Sequence, residues 1–539
     1  MNKAGLLATI IMVIAIITIT MTMEDETLTN DDQTDNQTIN QLTTYDERRI
    51  NEQQEIDAER NETYENGDYT VENPLITVDP YGVTPLTALI MFETEDPTQI
   101  TITVEGKDDE ADISKEFSDF NTQHEIPVLG LYADSTNTVT VQATTEDGDT
   151  QTTELSIQTE ALPDDFLTTE VAEADATKME EGLTFIVPST RYVYGVDHNA
   201  DVRWYSTLWN SHVFKRLENG NILYITKEEG QDQYNELLEM DMLGKVENAY
   251  LVQLENYEDT NVVHHDVIEL PNGNLLATTH DTSSDYIEDE MTEIDRETGE
   301  TVRNFNFRDI FPASFYEDYY GASAADGDWF HQNAVYLDET DNTLLISSRH
   351  QDLTMKIGYP DGEIKWIMAA HDKWPEEFEQ YLLEPQGDSL KFPAGPHAIM
   401  NIPDQDNDEA TTDYLLFDNN IVITRGNKDV SEEFSRAVQY RINDEDMAIE
   451  EVWSFGEERG TNFYSNIVGD ADFLPNTANR LITSGYITVE ADEDARNSRI
   501  IEVTDQNPAE VVYEIIVSDF EEGSHRQAYR AERMRLYEE

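Results

Sequence analysis

Short runs of alternating hydrophobic and polar residues occupy residues 68–162, and this alternation is typical of β-strands. The runs are separated by turn signals such as Asp79-Pro80 and Asp147-Gly148. The predicted strands are Leu75–Val78, Leu89–Phe92, Ile100–Val104, Thr138–Gln142 and Thr153–Ile157. Strands at this spacing predict a small β-sandwich over residues 68–162. No motif with chemistry lies within it, so we expect a supporting or docking role.

From about residue 183 a second pattern recurs: a short strand, a turn rich in Pro, Asn, Asp and Gly, and a second strand. Its copies begin at Ser211, His264, His331, His397 and Gly469. A second hairpin usually follows each copy, at turns such as Asp241-Met-Leu-Gly, Asp295-Arg-Glu-Thr-Gly and Tyr359-Pro-Asp-Gly, with looser versions after Ile442 and Val503. Two hairpins make a four-stranded blade, and radial repetition of blades makes a propeller.

An atypical first unit at Phe185–Tyr205 brings the number of predicted blades to six. The predicted fold is therefore all-β, with a six-bladed β-propeller over residues 163–539 preceded by the small β-sandwich. In such a fold the inner strands direct their ends at a central funnel, where ligands are usually held.

The N-terminus carries a hydrophobic segment over residues 1–23. Lys3 precedes an apolar run from Gly5 to Ile19, whose length lies between a signal-peptide core and a full bilayer span. No cleavage site is obvious after it, so we favour an uncleaved membrane anchor over a signal peptide, and both alternatives place the protein outside the cytoplasm. Residues 24–67 are rich in Asp, Glu, Asn, Gln and Thr, which predicts an acidic disordered stalk.

The chain has 33 Lys and Arg against 114 Asp and Glu, a formal net charge of −81. Such an anion is repelled by phosphate backbones, which argues against nucleic-acid binding. Self-repulsion at this charge destabilises a compact state, but in roughly 1 M salt the screening length falls to about 3 Å and most of that penalty disappears. We therefore interpret the acidity as adaptation to a saline, halophilic environment. An acidic but ordinary secreted protein is the alternative. The chain has no cysteine, which excludes disulfides, thiolate metal sites and a cysteine nucleophile.

Histidines mark the starts of successive repeats. The chain has 11 histidines, and the equivalent positions in the repeats are occupied by His264, His265, His331 with Asn333, and His397. A single histidine there is usually structural, but their convergence favours a functional site. His212 holds the matching place in the preceding repeat, where a structural role is equally consistent.

Arg349 ends the second strand of the repeat that begins at His331. With His331 and Asn333 it forms a set of donors, which suits a tetrahedral oxyanion because a guanidinium binds one through bidentate hydrogen bonds. A metal is the rival use of clustered histidines. We expect none, because HxH and HExxH spacings are absent, Arg349 opposes a cation, and consecutive residues such as His264 and His265 should point to opposite faces of a strand.

These motifs resemble those of the bacterial arylsulfate sulfotransferase family, enzymes that move sulfuryl groups between phenols without a nucleotide sulfate donor. The resemblance covers about residues 68–537. The matching motifs are His264-His265-Asp266 before Leu270-Pro-Asn-Gly, Asp328-Trp-Phe-His331-Gln-Asn333, Ser347-Ser-Arg349-His-Gln, Gly395-Pro-His397, Tyr464-Ser-Asn-Ile-Val-Gly-Asp470 and Tyr529-Arg-Ala-Glu-Arg533. Together and in this order they are specific, whereas each alone is weak.

The resemblance implies a ping-pong mechanism in which His397 accepts the sulfuryl group as a sulfohistidine. His331, Asn333 and Arg349 would hold the sulfate oxygens, Tyr529 would reach the funnel, and His264 or His265 would act as acid and base. Repeat alignment sets His265 against His397, whereas His264 shares the face of His331, so the sequence leaves this choice open.

The resemblance also implies small-molecule partners, a phenolic sulfate donor and an acceptor phenol, with no cofactor and with a possible homodimer. Some family members have a disulfide, which this chain cannot form. Two other functions stay open: a non-catalytic cell-surface binding propeller, and a metal-dependent hydrolase.

Overall fold

A computed structural model describes residues 41–252, 262–280, 284–319, 321, 323–387, 390–423, 431–489, 492–521 and 527–538. Its secondary structure is predominantly β, which confirms the predicted all-β class. The hydrophobic segment 1–23 and the first part of the predicted stalk lie outside the described residues. Within those residues, no helix combines the length and the apolar character needed to cross a membrane.

The described part of the predicted stalk has regular secondary structure, which differs from the disorder that we expected. It contains strand β1 (Thr43–Tyr45) and helix α1 (Arg48–Glu65). The strand pairs antiparallel with Val246–Val252, and Gln53 of the helix donates to the carbonyl of Gly244 at 2.9 Å. Arg48 and Arg49 of the helix also pair with the carboxylate of Glu236 in that sheet. Composition indicates disorder here because it cannot reveal specific partners nearly 200 residues further along the chain.

The next sheet has five antiparallel strands, namely β2 (Leu75–Val78), β3 (Thr87–Val104), β4 (Ile113–Leu129), β5 (Thr136–Thr145) and β6 (Thr150–Gln158). All five predicted segments are strands, but two of them are halves of the long strand β3. The register of β3 against β4 shifts between Glu93 and Thr98, around the expected turn. Strand β4 was not predicted, because its first part is largely exposed and lacks apolar alternation.

The remaining strands form six sheets, whose strands pair antiparallel except for β23 (Glu384–Pro385), which is parallel to β27 (Ala448–Phe455). In chain order they are β7 (Thr168–Ala174), β8 (Leu183–Val187), β9 (Tyr194–Val196), β10 (Val202–Tyr205), β11 (Phe214–Arg216), β12 (Ile222–Thr226), β13 (Glu236–Met240), β14 (Val246–Val252), β15 (Val263–Glu269), β16 (Leu275–Thr279), β17 (Glu290–Ile294), β18 (Thr301–Asn306), β19 (Gln332–Asp338), β20 (Thr343–Ser348), β21 (Leu353–Gly358), β22 (Ile364–Met368), β23 (Glu384–Pro385), β24 (His397–Ile402), β25 (Thr412–Asp418), β26 (Arg436–Asn443), β27 (Ala448–Phe455), β28 (Gly469–Phe473), β29 (Arg480–Val489), β30 (Asp492–Val503), β31 (Val511–Ser518) and β32 (Arg530–Met534).

Each predicted hairpin of the repeat is confirmed by this topology. The sheets are β10-β9-β8-β32, β11 to β14 with β1, β15 to β18, β19 to β22, β24 to β27 with β23, and β28 to β31 with β7. The last strand of the chain, β32, thus completes the sheet of the atypical first unit. The first strands of consecutive sheets also touch: β15 contacts β19, β19 contacts β24, β24 contacts β28, and β28 contacts β32. This succession brings the starts of these strands together.

Candidate active site

The strands that carry the predicted site residues begin irregularly. Their register with the neighbouring strand shifts between Val263 and Val267 in β15, between Gln332 and Ala334 in β19, and between His397 and Met400 in β24. Such an irregularity interrupts the alternation of side chains between the two faces of a strand, and it often lies next to active sites. In three consecutive sheets, the side chains at the start of the first strand therefore depart from regular alternation.

This irregularity overturns one expectation from the sequence. His264 and His265 do not point to opposite faces, because their Nδ1 atoms are 2.8 Å apart and both side chains are buried. The alternation argument that we used against a metal was therefore wrong in its geometry. It also means that both histidines belong to one cluster.

The ring of His265 lies at the centre of that cluster. Its centroid is 4.9 Å from that of His331, 5.0 Å from that of His212 and 5.8 Å from that of Tyr529. His212 also stacks on Tyr529 with centroids 4.0 Å apart. Burial, followed by the positive charge of His331, keeps the pKa of His265 well below its usual value. His265 is therefore neutral at neutral pH.

Hydrogen bonds determine which nitrogen of His265 is free. Nε2–H of His264 donates to the carbonyl of Thr279 at 3.1 Å, so Nδ1 of His264 is an acceptor. Nδ1–H of His265 then donates to that acceptor at 2.8 Å. In a neutral ring this leaves a lone pair on Nε2 of His265. His265 can act as a base, and His264 orients it.

His331 is held between two carboxylates. Its Nδ1 lies 2.7 Å from an oxygen of Glu288 and 2.7 Å from an oxygen of Asp328. Burial opposes the charged form, but the attraction of Asp328 and Glu288 prevails and raises the pKa of His331 to about 10. His331 is therefore an imidazolium at neutral pH, a fixed positive charge rather than a base.

Arg349 contributes a second positive charge beside His331. It donates from Nη1 to Nε2 of His350 at 2.9 Å and from Nη2 to the carbonyl of Asn466 at 3.1 Å. His350 donates in turn from Nδ1 to the carbonyl of Asp328 at 2.8 Å. Nε of Arg349 is buried and has no hydrogen-bond partner among the described residues. The guanidinium is thus oriented by neutral acceptors, which leave its charge uncompensated at close range.

The amide of Asn333 connects the strand of His331 to the segment that precedes His397. Its Nδ2 donates to the carbonyl of Pro396 at 2.8 Å, and its Oδ1 accepts from Ser347. The hydroxyl of Tyr529 donates to the backbone carbonyl of Asn333 at 3.1 Å. Asn333 and Tyr529 therefore lie at the site, and Asn333 positions the backbone next to His397.

The tautomer of His397 is set by Asn419. Nδ2 of Asn419 donates to the carbonyls of Ser465 at 2.7 Å and Val468 at 3.1 Å, so Oδ1 is the atom that faces His397. Nδ1–H of His397 donates to this Oδ1 at 2.7 Å and lies 3.3 Å from the carbonyl of Gly395. Nε2 of His397 consequently carries a lone pair.

The charge state of His397 follows from its surroundings. Burial, followed by the positive charges of Arg349 and His331, keeps the pKa of His397 well below its usual value. The side chain is 1% exposed, so water does not screen those charges. The site therefore combines neutral imidazoles at His397 and His265 with two cations, Arg349 and His331. This combination suits the transfer of an anionic group.

Four residues that interact within the site were not predicted: Glu288, Asp328, His350 and Asn419. Asp328 and His350 stand inside motifs noted above, three residues before His331 and one after Arg349. Asn419 has a signal as well, because it follows the second strand of its repeat directly, as Arg349 does. Glu288 has none, since it lies in the connection before β17.

Two groups of side chains at the site have the composition of metal ligands. In one, ligand atoms of His264, His265 and Glu288 lie within 4.8 Å of one another, and in the other those of Asp328, His331 and His350 do. In the second group Nδ1–H of His331 donates to Asp328 at 2.7 Å, and an oxygen of Glu288 lies 2.7 Å from the same nitrogen. In the first group the Nδ1 atoms of His264 and His265 are hydrogen-bonded to each other.

Comparisons with known proteins give the family of the chain. The family model described as Arylsulfotransferase (ASST) matches residues 168–530, and the one described as Arylsulfotransferase Ig-like domain matches residues 75–160. The arylsulfate sulfotransferase AssT of Lelliottia amnigena is 24% identical over 506 residues, covering 74% of this chain and 82% of that protein. The AssT of Escherichia coli O6:H1 is 22% identical over 512 residues, with the same coverage.

Among solved structures, the match to the hydrazine synthase of Kuenenia stuttgartiensis covers 57% of this chain and 66% of the synthase chain, with 11% identity and a TM-score of 0.32. That likeness is too weak to inform the fold or the function. The family models, in contrast, match more than half of the chain. The fold and the site define an all-β protein whose site suits the transfer of an anionic group. The family models identify it further: the chain belongs to the arylsulfotransferase family, and it is an aryl sulfotransferase enzyme.

Proposed function

We propose that this protein is an exported arylsulfate sulfotransferase that moves a sulfuryl group from a phenolic sulfate ester to an acceptor phenol through a sulfohistidine at His397. The observation that carries the proposal is the bond from Nδ1–H of His397 to Asn419 at 2.7 Å, which leaves Nε2 as a nucleophile. Arg349 and His331 are the charges that act on this imidazole.

In the first half-reaction, Nε2 of His397 attacks the sulfur and the bond from sulfur to the phenolic oxygen breaks. The electron pair of that bond leaves with the phenolate. In the second half-reaction, the acceptor phenol gives its proton to Nε2 of His265, its oxygen attacks the sulfur, and the nitrogen–sulfur bond breaks. The proton on His265 is then available for the next departing phenolate, which gives the acid and base roles to one residue.

Charge neutralisation supplies much of the catalysis in this scheme. The sulfuryl oxygens carry negative charge during transfer, and Arg349 with the His331 imidazolium are oriented before substrate arrives. Because Glu288 and Asp328 fix the proton on Nδ1 of His331, this charge persists at neutral pH. No cofactor is needed for a substrate that already has a good leaving group.

We further propose that the six sheets are the blades of a six-bladed β-propeller, and that the histidine site lies at its axis. The pairing of β32 with β8 supports a closed ring, as do the contacts between the first strands of consecutive sheets. The proposal of export rests on the sequence of residues 1–23, where Lys3 precedes the apolar run from Gly5 to Ile19.

The test measures release of nitrophenolate from 4-nitrophenyl sulfate with and without an added phenol, in the presence of EDTA. We expect release that depends on the phenol and is insensitive to EDTA. His397→Asn should abolish it, whereas the control His371→Asn, at an exposed histidine that donates to the carbonyl of Leu383, should not. Release without an acceptor that EDTA inhibits would indicate a metal-dependent hydrolase. Binding without turnover would indicate a non-catalytic propeller.

A further inference from the structure

A second group of charged side chains lies next to the histidine site on the same strands. Asp266 follows His265, and Arg530 follows Tyr529. With residues of β11, β19, β24 and β28 they line a cavity of about 280 Å³. Nη2 of Arg530 is 3.5 Å from the carbonyl of His265. The cavity thus adjoins the catalytic cluster but contains none of its imidazoles.

Three carboxylates in this cavity converge. Oxygens of Asp470, Asp472 and Glu532 lie within 4.8 Å of one another. Asp470 and Asp472 are two apart on β28, so both face the cavity. Asp470 is only 5% exposed, and its Oδ2 and that of Asp472 have no hydrogen-bond partner among the described residues. A buried carboxylate oxygen without a donor or a cation is costly.

The basic side chains of the cavity do not compensate this trio. Nζ of Lys215 lies 2.8 Å from Asp266, and Nη1 of Arg530 lies 3.4 Å from the same carboxylate. Within the described part of the chain, the single basic contact under 4.0 Å to the trio is from Arg530 to Glu532, at 3.8 Å. Lys215 and Arg530 are thus engaged with Asp266, and among the described residues the three carboxylates share one cation contact below 4.0 Å.

We propose that Asp470, Asp472 and Glu532 bind a divalent cation, and that Ca²⁺ is the ion. The donors are all carboxylate oxygens, which select hard cations over zinc or copper. Two oxygens bound to one Ca²⁺ at about 2.4 Å can be up to about 4.8 Å apart, a limit that the spacing of the trio respects. The cavity has room for waters to complete the 6–8 ligands that Ca²⁺ takes. The ion offsets two of the three negative charges and links β28 to β32.

The proposal is independent of catalysis, and its test measures binding. The full-length protein, treated with EDTA, is titrated calorimetrically with CaCl₂ and separately with MgCl₂ in molar NaCl, which screens the surface carboxylates. Asp472→Asn is compared with Asp406→Asn, whose carboxylate lies on an exposed acidic loop. We expect one saturable Ca²⁺ site in the wild type and the control, weakened by at least about tenfold in Asp472→Asn. Ca²⁺ should also raise the unfolding midpoint of the first two proteins only.

Three results would overturn the proposal. The first is no saturable Ca²⁺ binding by the wild type in this titration. The second is equal Ca²⁺ affinity in the wild type and Asp472→Asn, and the third is tighter binding of Mg²⁺ than of Ca²⁺. If Asp472→Asn does not fold, Glu532→Gln replaces it. The Ca²⁺ affinities of the wild type and Glu532→Gln then decide whether the trio binds the ion.

Discussion

The role of Asn419 gives the sharpest prediction for a single side chain. In Asn419→Ala, Nδ1 of His397 loses the acceptor at 2.7 Å and keeps only the carbonyl of Gly395 at 3.3 Å. Attack by Nε2 places positive charge on the imidazole, so the lost bond is one to a charged group in the transition state. Such bonds contribute about 1.5–3 kcal/mol, which corresponds to roughly ten- to a hundredfold in rate.

The same substitution also affects stability, and a matched control separates the two effects. It removes the Asn419 amide from the carbonyls of Ser465 and Val468, which keep the hydroxyls of Ser435 and Ser465 as donors, so each lost bond costs about 0.5–1.5 kcal/mol. Asn137 is similarly buried in the N-terminal sheet, where its amide donates to the carbonyl of Tyr132 at 3.1 Å. Asn137→Ala should lose comparable stability and retain full activity.

The assay is kcat for transfer from 4-nitrophenyl sulfate at saturating phenol, well below the unfolding midpoint of each variant. Circular dichroism confirms that both variants are folded under these conditions. We expect kcat of Asn419→Ala to fall by roughly ten- to a hundredfold while that of Asn137→Ala is unchanged. A folded Asn419→Ala enzyme with wild-type kcat would refute the argument that Asn419 sets the tautomer of the nucleophile.

Three further predictions concern charge. In the same nitrophenolate assay, Arg349→Met should lower kcat by about 10²–10³-fold, the range for removing one donor to a developing anion. A small change in kcat would contradict the proposal that Arg349 binds the sulfuryl oxygens. The folded pKa of His331 is about 10, above the usual value of about 6.5. The stabilisation that this charge provides is therefore complete below about pH 6.5 and is lost as the pH rises through about 10. In urea unfolding between these limits, the loss of stability should begin at a lower pH in Glu288→Gln than in the wild type, and superimposable curves would argue against the carboxylate contact. Because the net charge is −81, the unfolding midpoint should rise with NaCl up to molar concentrations, and a midpoint independent of salt would contradict halophilic adaptation.

The repeat was predictable because turn chemistry and hydrophobic strands recur in every copy. The hairpins of the six sheets follow from that repetition, whereas the pairing of β32 with β8 was not predicted. Strand β4 and helix α1 were not predictable, because β4 is polar on both faces over much of its length and α1 depends on partners far along the chain. Local pattern carries no information about either.

The sequence predicted part of the candidate site but not its geometry. His331 and His397 stand at equivalent places in the repeats, which singled them out, whereas Arg349 was chosen because it ends the second strand of the repeat that begins at His331. The irregular start of β15, which puts His264 and His265 in contact, has no signature in the residues themselves. Protonation depends on neighbours as well, since Asp328 and Glu288 make His331 cationic, while the bond from Nδ1–H of His397 to Asn419 leaves Nε2 of His397 unprotonated.

The covalent intermediate is the central claim, and mass spectrometry tests it most directly. The enzyme is mixed with 4-nitrophenyl sulfate in the absence of any acceptor phenol, and its intact mass and proteolytic peptides are measured under alkaline conditions. The account predicts an increase of one SO₃ group per chain, located on the peptide that contains His397 and removed when phenol is added. An unmodified His397 in an enzyme that has released one equivalent of nitrophenolate would contradict it.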